Sequence, residues 1–280
     1  FNAWLNADPA HARAFARASA VWNGEPVLAA AQTLQTRRMP SLLQRMGRHW
    51  KHLATAAVVI ISVGSYGNVP LRLQADHLTV VGERQHLQLE DGSKVLLNTN
   101  SAFSSKVVDA QSSARLYQGE AYFEVPANLE FPLVLDAGPV RVSVRDTAFA
   151  VSYLNGEAQV RVQRGDVDLR VSSVGAQMRL SAGNSVNIGP NGFSRTTKLN
   201  PQTDLAWVQG RLVFENCPMS KVLDEVRRYY PGWIINKNEK LANVAVTGNY
   251  RLDQPLDIVR SLAHITSSSV SEFPALVILN

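Results

Sequence analysis

Nineteen consecutive residues without a formal charge, Leu53 to Leu71, restrict this chain more than any other feature. A run of about that length crosses the hydrocarbon core of a bilayer as a helix. Its heart, Ala56 to Ile61, is apolar all round, whereas a helix on the surface of a soluble protein shows one apolar face. Before the run stand Arg37, Arg38, Arg45, Arg48 and Lys51 with no acid among them; after it the charges are mixed, Arg72, Asp76, Glu83 and Arg84. Basic residues flank the cytoplasmic end of a span. The expected topology is a cytoplasmic residue 1–36 segment, a basic juxtamembrane linker 37–52, a membrane helix 53–71 and an exported remainder. The rivals are a buried core helix and an internal export signal. Thr36-Arg37-Arg38-Met39 resembles a twin-arginine signal, but some fifty residues precede the apolar run, which disfavours a cleaved leader.

Charge excludes one large class of function. The chain carries a net charge of +5, and the five basic residues beside the run account for all of it. Residues 72–280 sum to zero, so no excess is left to attract nucleic acid. Cys217 is alone, which rules out a disulfide within the chain and suits a packed side chain. The sequence opens on Phe1 rather than Met, which leads us to expect that residues preceding it are missing.

Upstream of the span, Asp8-Pro9 marks a helix start and Gly24 a stop. His11, Phe15, Ala18 and Trp22 fall on one face between them, with Trp4 and Leu5 just before. So short a piece cannot bury this aromatic stripe alone. Either it folds back as a helical hairpin or Trp4, Leu5, Phe15 and Trp22 meet a partner.

From Val80 to about Ile188 the hydrophobic period changes to two. Val140, Val142 and Val144 alternate with Arg141, Ser143 and Arg145; Val167, Leu169 and Val171 alternate with Asp168 and Arg170. Asp91-Gly92, Asn155-Gly156 and Arg164-Gly165 punctuate the runs. This predicts an all-β domain over 72–198, a sandwich or short solenoid, with one face buried and the other wet. A polar linker with Pro201 follows. Residues 199–280 then read strand–helix–strand twice, each helix opened by a proline, Pro218 and Pro255: an α+β double βαβ domain. The Ser- and Thr-rich stretch holding Ile265, Ser268, Val270 and Glu272 is a candidate sheet edge able to accept a partner strand. Trp207 and Trp233 are candidates for packing this domain on the β-domain.

Enzyme chemistry finds no footing. Glu120 and Glu124 share a strand face opposite core-facing Phe123, and are expected to be solvated rather than paired across a cleft. The histidines lack ligand spacing apart from His49 and His52 at the membrane edge, and no nucleophile elbow or phosphate loop occurs. No cofactor or metal is implied. Abundant Tyr, Trp and Asn leave a membrane-anchored carbohydrate- or cell-wall-binding module as the alternative reading.

Four motifs, in order after the uncharged run, resemble one family. Val81-Gly82-Glu83-Arg84-Gln85 with Leu89-Glu90-Asp91-Gly92-Ser93 and Leu97-Asn98-Thr99 is similar to the first signature of the FecR regulators. Gly119-Glu120-Ala121-Tyr122-Phe123-Glu124-Val125 resembles the second. Thr147-Ala148-Phe149-Ala150-Val151 resembles the third, with Asp146 where glycine is usual. Trp207-Val208-Gln209-Gly210-Arg211-Leu212-Val213-Phe214 resembles the entry to the last domain, similar to the short signalling domain of secretins and TonB-dependent receptors. Read physically, Asp91, Gly92, Gly119, Glu120, Phe123 and Phe149 are structural: a tight turn and core-facing strand positions. The resemblance implies a single-pass inner-membrane anti-sigma factor in a bacterium, N-terminus in the cytoplasm and C-terminus in the periplasm. Its implied partners are an extracytoplasmic-function sigma factor, the signalling domain of an outer-membrane siderophore receptor, and an intramembrane protease. Ser62, Gly64, Ser65 and Gly67 weaken the span and are candidates for the cleavage region.

Overall fold

Alternation of apolar and polar residues builds most of the described structure, and it builds it from strands. The computed structural model describes residues 74–108, 111–266 and 268–280, within a unit spanning Ser65–Asn280. The sigma-binding, topology-setting and cleavage-region candidates, Trp4 through Gly67, lie outside the described residues. Among the described residues no helix is long and apolar enough to cross a membrane.

Fourteen strands form one hydrogen-bonded network. They are β1 (His77–Leu78), β2 (Gln85–Gln88), β3 (Lys94–Leu97), β4 (Ala102–Val108), β5 (Gln111–Val125), β6 (Leu133–Ala137) and β7 (Val140–Val144). Then come β8 (Thr147–Leu154), β9 (Glu157–Arg164), β10 (Asp166–Val171), β11 (Gln177–Ser181), β12 (Asn184–Gly189), β13 (Gly192–Phe193) and β14 (Thr197–Lys198). The fifteen-residue β5 belongs to two sheets. Its first half pairs with β4 and β6, its second half with β3 and β8. The first sheet runs β1-β4-β5-β6-β7-β10-β11; the second contains β2-β3-β5-β8-β9-β12 with β13 and β14 at its edge. The corner is Gly119, at φ +96, where a Cβ would stand 2.5 Å from the Ser101 Cα. Only glycine takes this backbone at no cost and leaves room for the neighbouring strand.

The two sheets face each other across one core. Phe103, Leu116, Leu135 and Val142 of the first meet Leu97, Phe123, Phe149 and Val160 of the second. Phe123 and Phe149 stack with ring centroids 5.1 Å apart. Of the two architectures expected, the sandwich fits. The Asp91-Gly92 turn joins β2 to β3 with Gly92 at φ +85, as its sequence predicts.

The segment read as a linker is folded. Asn200 caps α1 (Pro201–Asp204) by accepting from the Gln202 N–H, and a 3-10 turn, Ala206–Gln209, follows. Leu199, Leu205 and Trp207 are buried, which anchors it. The C-terminal part comprises β15 (Arg211–Pro218), α2 (Met219–Arg227), β16 (Trp233–Asn236), β17 (Ala245–Arg251), α3 (Pro255–Ile265), β18 (Val270–Phe273) and β19 (Leu276–Leu279). The two strand–helix–strand units intertwine rather than stand side by side: β15 pairs antiparallel with β17, and β16 pairs parallel with β19. Part of the Ser/Thr-rich stretch forms β18, hairpinned to β19 and edging a three-stranded sheet in the order β16-β19-β18.

Candidate functional site

The second sheet has no wet face over its central strands. Residues Thr147 to Ser152 of β8 are buried without interruption, as are Glu120 to Phe123 of β5. A strand buried on both faces is covered on both sides. The cover is the C-terminal domain. Leu96, Tyr122, Ala148 and Ala150 point away from the sandwich core and pack in a second core with Trp207, Met219, Val222, Leu223, Val226 and Leu262. Apolar burial of this kind stabilises by about 25 cal/mol per Å2.

Glu120 sits inside this junction, and here the expectation fails. Its side chain is 1% exposed, not solvated. Glu120 does face away from Phe123, but another domain covers that face; Glu124, at the end of β5, remains exposed. One Glu120 carboxylate oxygen accepts from Arg161 Nη1 at 2.7 Å, and the other accepts from Arg228 Nη2 at 2.7 Å and Asn98 Nδ2 at 2.9 Å. Arg161 comes from β9, Arg228 from the end of α2 in the other domain. Asn98 also donates to the Tyr229 hydroxyl at 2.8 Å, and the Thr99 hydroxyl donates to the Arg228 carbonyl at 2.9 Å. Arg84 Nη1 donates to the Trp207 carbonyl at 2.8 Å.

Burial opposes the charge on Glu120, but Arg228 and Arg161 outweigh it and hold the carboxyl below its ordinary value. Burial likewise works against Arg228, and Glu120 with Glu225 more than restores it, so its guanidinium stays charged. Burial pushes up the Tyr229 phenol and the Glu225 carboxyl, the latter against the pull of Arg228. Two charge-assisted bonds to one fully buried carboxylate make a strong, geometrically exacting tie.

Beside the tie lies a cavity of ≈ 370 Å3 between the domains, lined by Glu120, Arg161, Trp207, Phe214, Glu225 and Arg228 among others. Cys217 also reaches it, and burial raises its thiol pKa, which disfavours the reactive thiolate. Among the described residues no group of three or more His, Cys, Asp or Glu is placed to hold a metal ion. What the arrangement does chemically is hold two domains in register.

The sequence-predicted residues divide accordingly. Phe123 and Phe149 are fully buried in the sandwich core, Asp91 and Gly92 make the hairpin turn, and Gly119 the corner. Glu120 becomes the centre of the junction. Trp207 is buried there, whereas Trp233 is 68% exposed and packs nothing across it. Val270 and Glu272 lie on β18, where Glu272 is engaged by Arg260 at 2.7 Å; Ile265 ends α3, exposed. Arg161, Arg228 and Tyr229 carried no mark in the sequence, and Asn98 stood out only within the Leu97-Asn98-Thr99 motif. The available signal was the apolar run Ala148-Phe149-Ala150-Val151, which lacks alternation and announces a covered outer face.

These contacts bring three distant motifs together: Arg84 and Asn98, then Glu120, then Trp207. Comparison with known proteins follows the same division. A family model described as FecR protein matches residues 75–168, and one described as FecR, C-terminal matches 211–270; together they take in more than half of the chain. No curated protein matches the sequence. Two crystal structures of a candidate anti-sigma factor from Parabacteroides distasonis ATCC 8503, at 1.65 and 2.50 Å, share the fold. The first has TM-score 0.61 and 20% identity over 73% of this chain and 97% of that one; the second has 0.60 and 20% over 72% and 96%.

Proposed function

We infer, on the premise that this chain belongs to the FecR family, that it is a transmembrane anti-sigma regulator. Residues 53–71 span the inner membrane, 1–52 lie in the cytoplasm and 72–280 in the periplasm. The cytoplasmic piece binds an extracytoplasmic-function sigma factor through Trp4, Leu5, Phe15 and Trp22. The periplasmic part receives the signal of an outer-membrane TonB-dependent receptor, and cleavage near Ser62 to Gly67 releases the sigma-bound fragment.

The observation that carries this reading is the sequence order: a one-sided basic cluster, an uncharged run of membrane length, then the two family matches. The form of the C-terminal domain supports a receiving role. Its three-stranded sheet has open edges at β16 and β18, and Trp233, Ile235 and Phe273 stand exposed on its outer side. Exposed apolar patches on soluble surfaces mark interaction sites. The shared core supports the relay, since a pull on this domain reaches the sandwich without a slack linker.

The test uses the full chain and a sigma-dependent promoter, with and without receptor ligand. Trp233→Ala with Phe273→Ser leaves protein abundance unchanged and reduces ligand-induced output at least several-fold. Full induction from that variant removes the receiving role. A reporter active only outside the cytoplasm, fused after Asn280, checks the topology separately.

A further inference from the structure

The outer face of the first sheet is uncovered among the described residues, and its charge is lopsided. Strand register lines up Lys106 on β4, Arg115 on β5, Arg141 on β7, Arg170 on β10 and Arg179 on β11 across this one face, with Arg145 just past β7. Among the described residues Asp136, Asp166 and Asp168 answer them on this face, the last two paired with Arg179 at 3.3 and 3.9 Å. Residues 72–280 are neutral as a whole, so this basic excess is a local feature that the sum over sequence concealed.

Arg141 and Arg170 are direct cross-strand partners. Like charges placed opposite each other destabilise a sheet unless an anion lies between them. Asp136 engages Arg141 at 2.8 Å and is shared with Arg115 at 3.7 Å. Arg170 has no ion-pair partner among the described residues. A shallow hollow of ≈ 530 Å3 lies over Arg141, Ser143, Asp168, Arg170 and Arg179, three arginines to one acid. Towards the far end of β4 the apolar side chains of Val108 and, in the β5–β6 loop, Phe131 stand exposed.

Chain length fixes what this face can reach. Five residues, 72–76, separate the uncharged run from β1, and β1 is the edge strand of this same sheet. Fully extended they cover at most about 18 Å. We propose that the outer face of the first sheet docks on an anionic phospholipid surface, its arginines meeting lipid phosphates while Val108 and Phe131 enter the interface. Basic side chains near an anionic leaflet bind it in this way, and the attraction weakens with salt. The proposal rests on the reading of 53–71 as a membrane span.

The experiment places the full chain in nanodiscs of phosphatidylcholine alone or with about one third phosphatidylglycerol, and follows phenylglyoxal modification of individual arginines by mass spectrometry. Each Lys or Arg near an anionic surface contributes about 1 kcal/mol, which is about fivefold in occupancy. Arg141 and Arg170 are therefore expected to react about fivefold more slowly or less in the anionic discs, while exposed Arg195 and Arg251 keep their rates. Inorganic phosphate added to neutral discs gives no such protection. Arg141→Glu with Arg170→Glu restores the reactivity of Arg115 and Arg179 in anionic discs. Equal rates in both discs, with the chain co-eluting with each, reject docking alone. Protection by inorganic phosphate to the same degree also overturns it, assigning the face to a free anion. A chain that co-elutes with neither disc rejects the span, and docking with it.

Discussion

The two halves of β5 run through the same sandwich and meet opposite fates. From Gln111 to Leu116 buried and exposed residues alternate strictly; from Gly119 to Phe123 every residue is enclosed. One face of the first sheet is wet and studded with arginine, while the corresponding face of the second sheet is the floor of another domain's core. The strand chemistry is the same on either side of Gly119. What differs is whether a later part of the chain returns to cover the face. The consequence is that a charged residue at a formally outward position is cheap in the first sheet and decisive in the second.

Substitutions that break this contrast are ordered by that logic. Glu120→Ala leaves Arg161 without its carboxylate partner and Arg228 with Glu225 alone, and removing one member of a buried ion pair costs about 3–5 kcal/mol. Urea unfolding should register this. Arg228→Ala falls in the same range, and the double variant loses less than the two single losses combined, with a coupling of about 1–3 kcal/mol. Additive losses would mean the two residues act independently. Gly119→Ala forces a side chain into left-handed backbone against Ser101, a cost of about 1–3 kcal/mol from backbone strain alone.

Acid offers a gentler probe. The Glu120 carboxyl is held below its ordinary value in the folded chain, so its contribution is complete above the unfolded value of about 4.3 and is lost as pH falls through the lower folded value. Stability of the unaltered protein should therefore fall below about pH 4, and Glu120→Gln should lack that part of the decline. The difference between the two proteins measured across pH 2–7 checks the sign. At the small end, Arg179→Ala on the first sheet removes ion pairs to Asp166 and Asp168 from an arginine side chain that is 67% exposed, and should change stability by less than about 0.5 kcal/mol. A loss as large as that of Arg228→Ala would erase the contrast between the sheets.

Much of this fold could be read from residue order. Period-two runs such as Val140 to Val144 and Asp166 to Val171 became strands, and the prolines at 218 and 255 do open helices. Such signals are local, carried by neighbours two or four positions apart. The junction was not legible in the same way, because its parts are remote: Glu120 and Arg228 are 108 residues apart, and Asn98 and Tyr229 are 131 apart. No periodicity links them. The uninterrupted apolar stretch of β8 betrayed only that something covers the sheet. The β18 edge was anticipated as the Ser- and Thr-rich stretch but its bounds were not, since Ser268, Ser269 and Ser271 give little strand signal and it is pairing with Leu276–Leu279 that orders Val270–Phe273.

Native-state hydrogen exchange over 74–280 tests most directly whether the junction makes these domains one cooperative body. The amides of β8 in the sandwich and of α2 in the C-terminal domain are expected to open with the same free energy and the same denaturant dependence, and to fall together in Glu120→Ala. An α2 that exchanges at lower free energy than β8 in the unaltered protein, with β8 untouched by its opening, would contradict a shared core and leave the C-terminal domain a separately folding attachment.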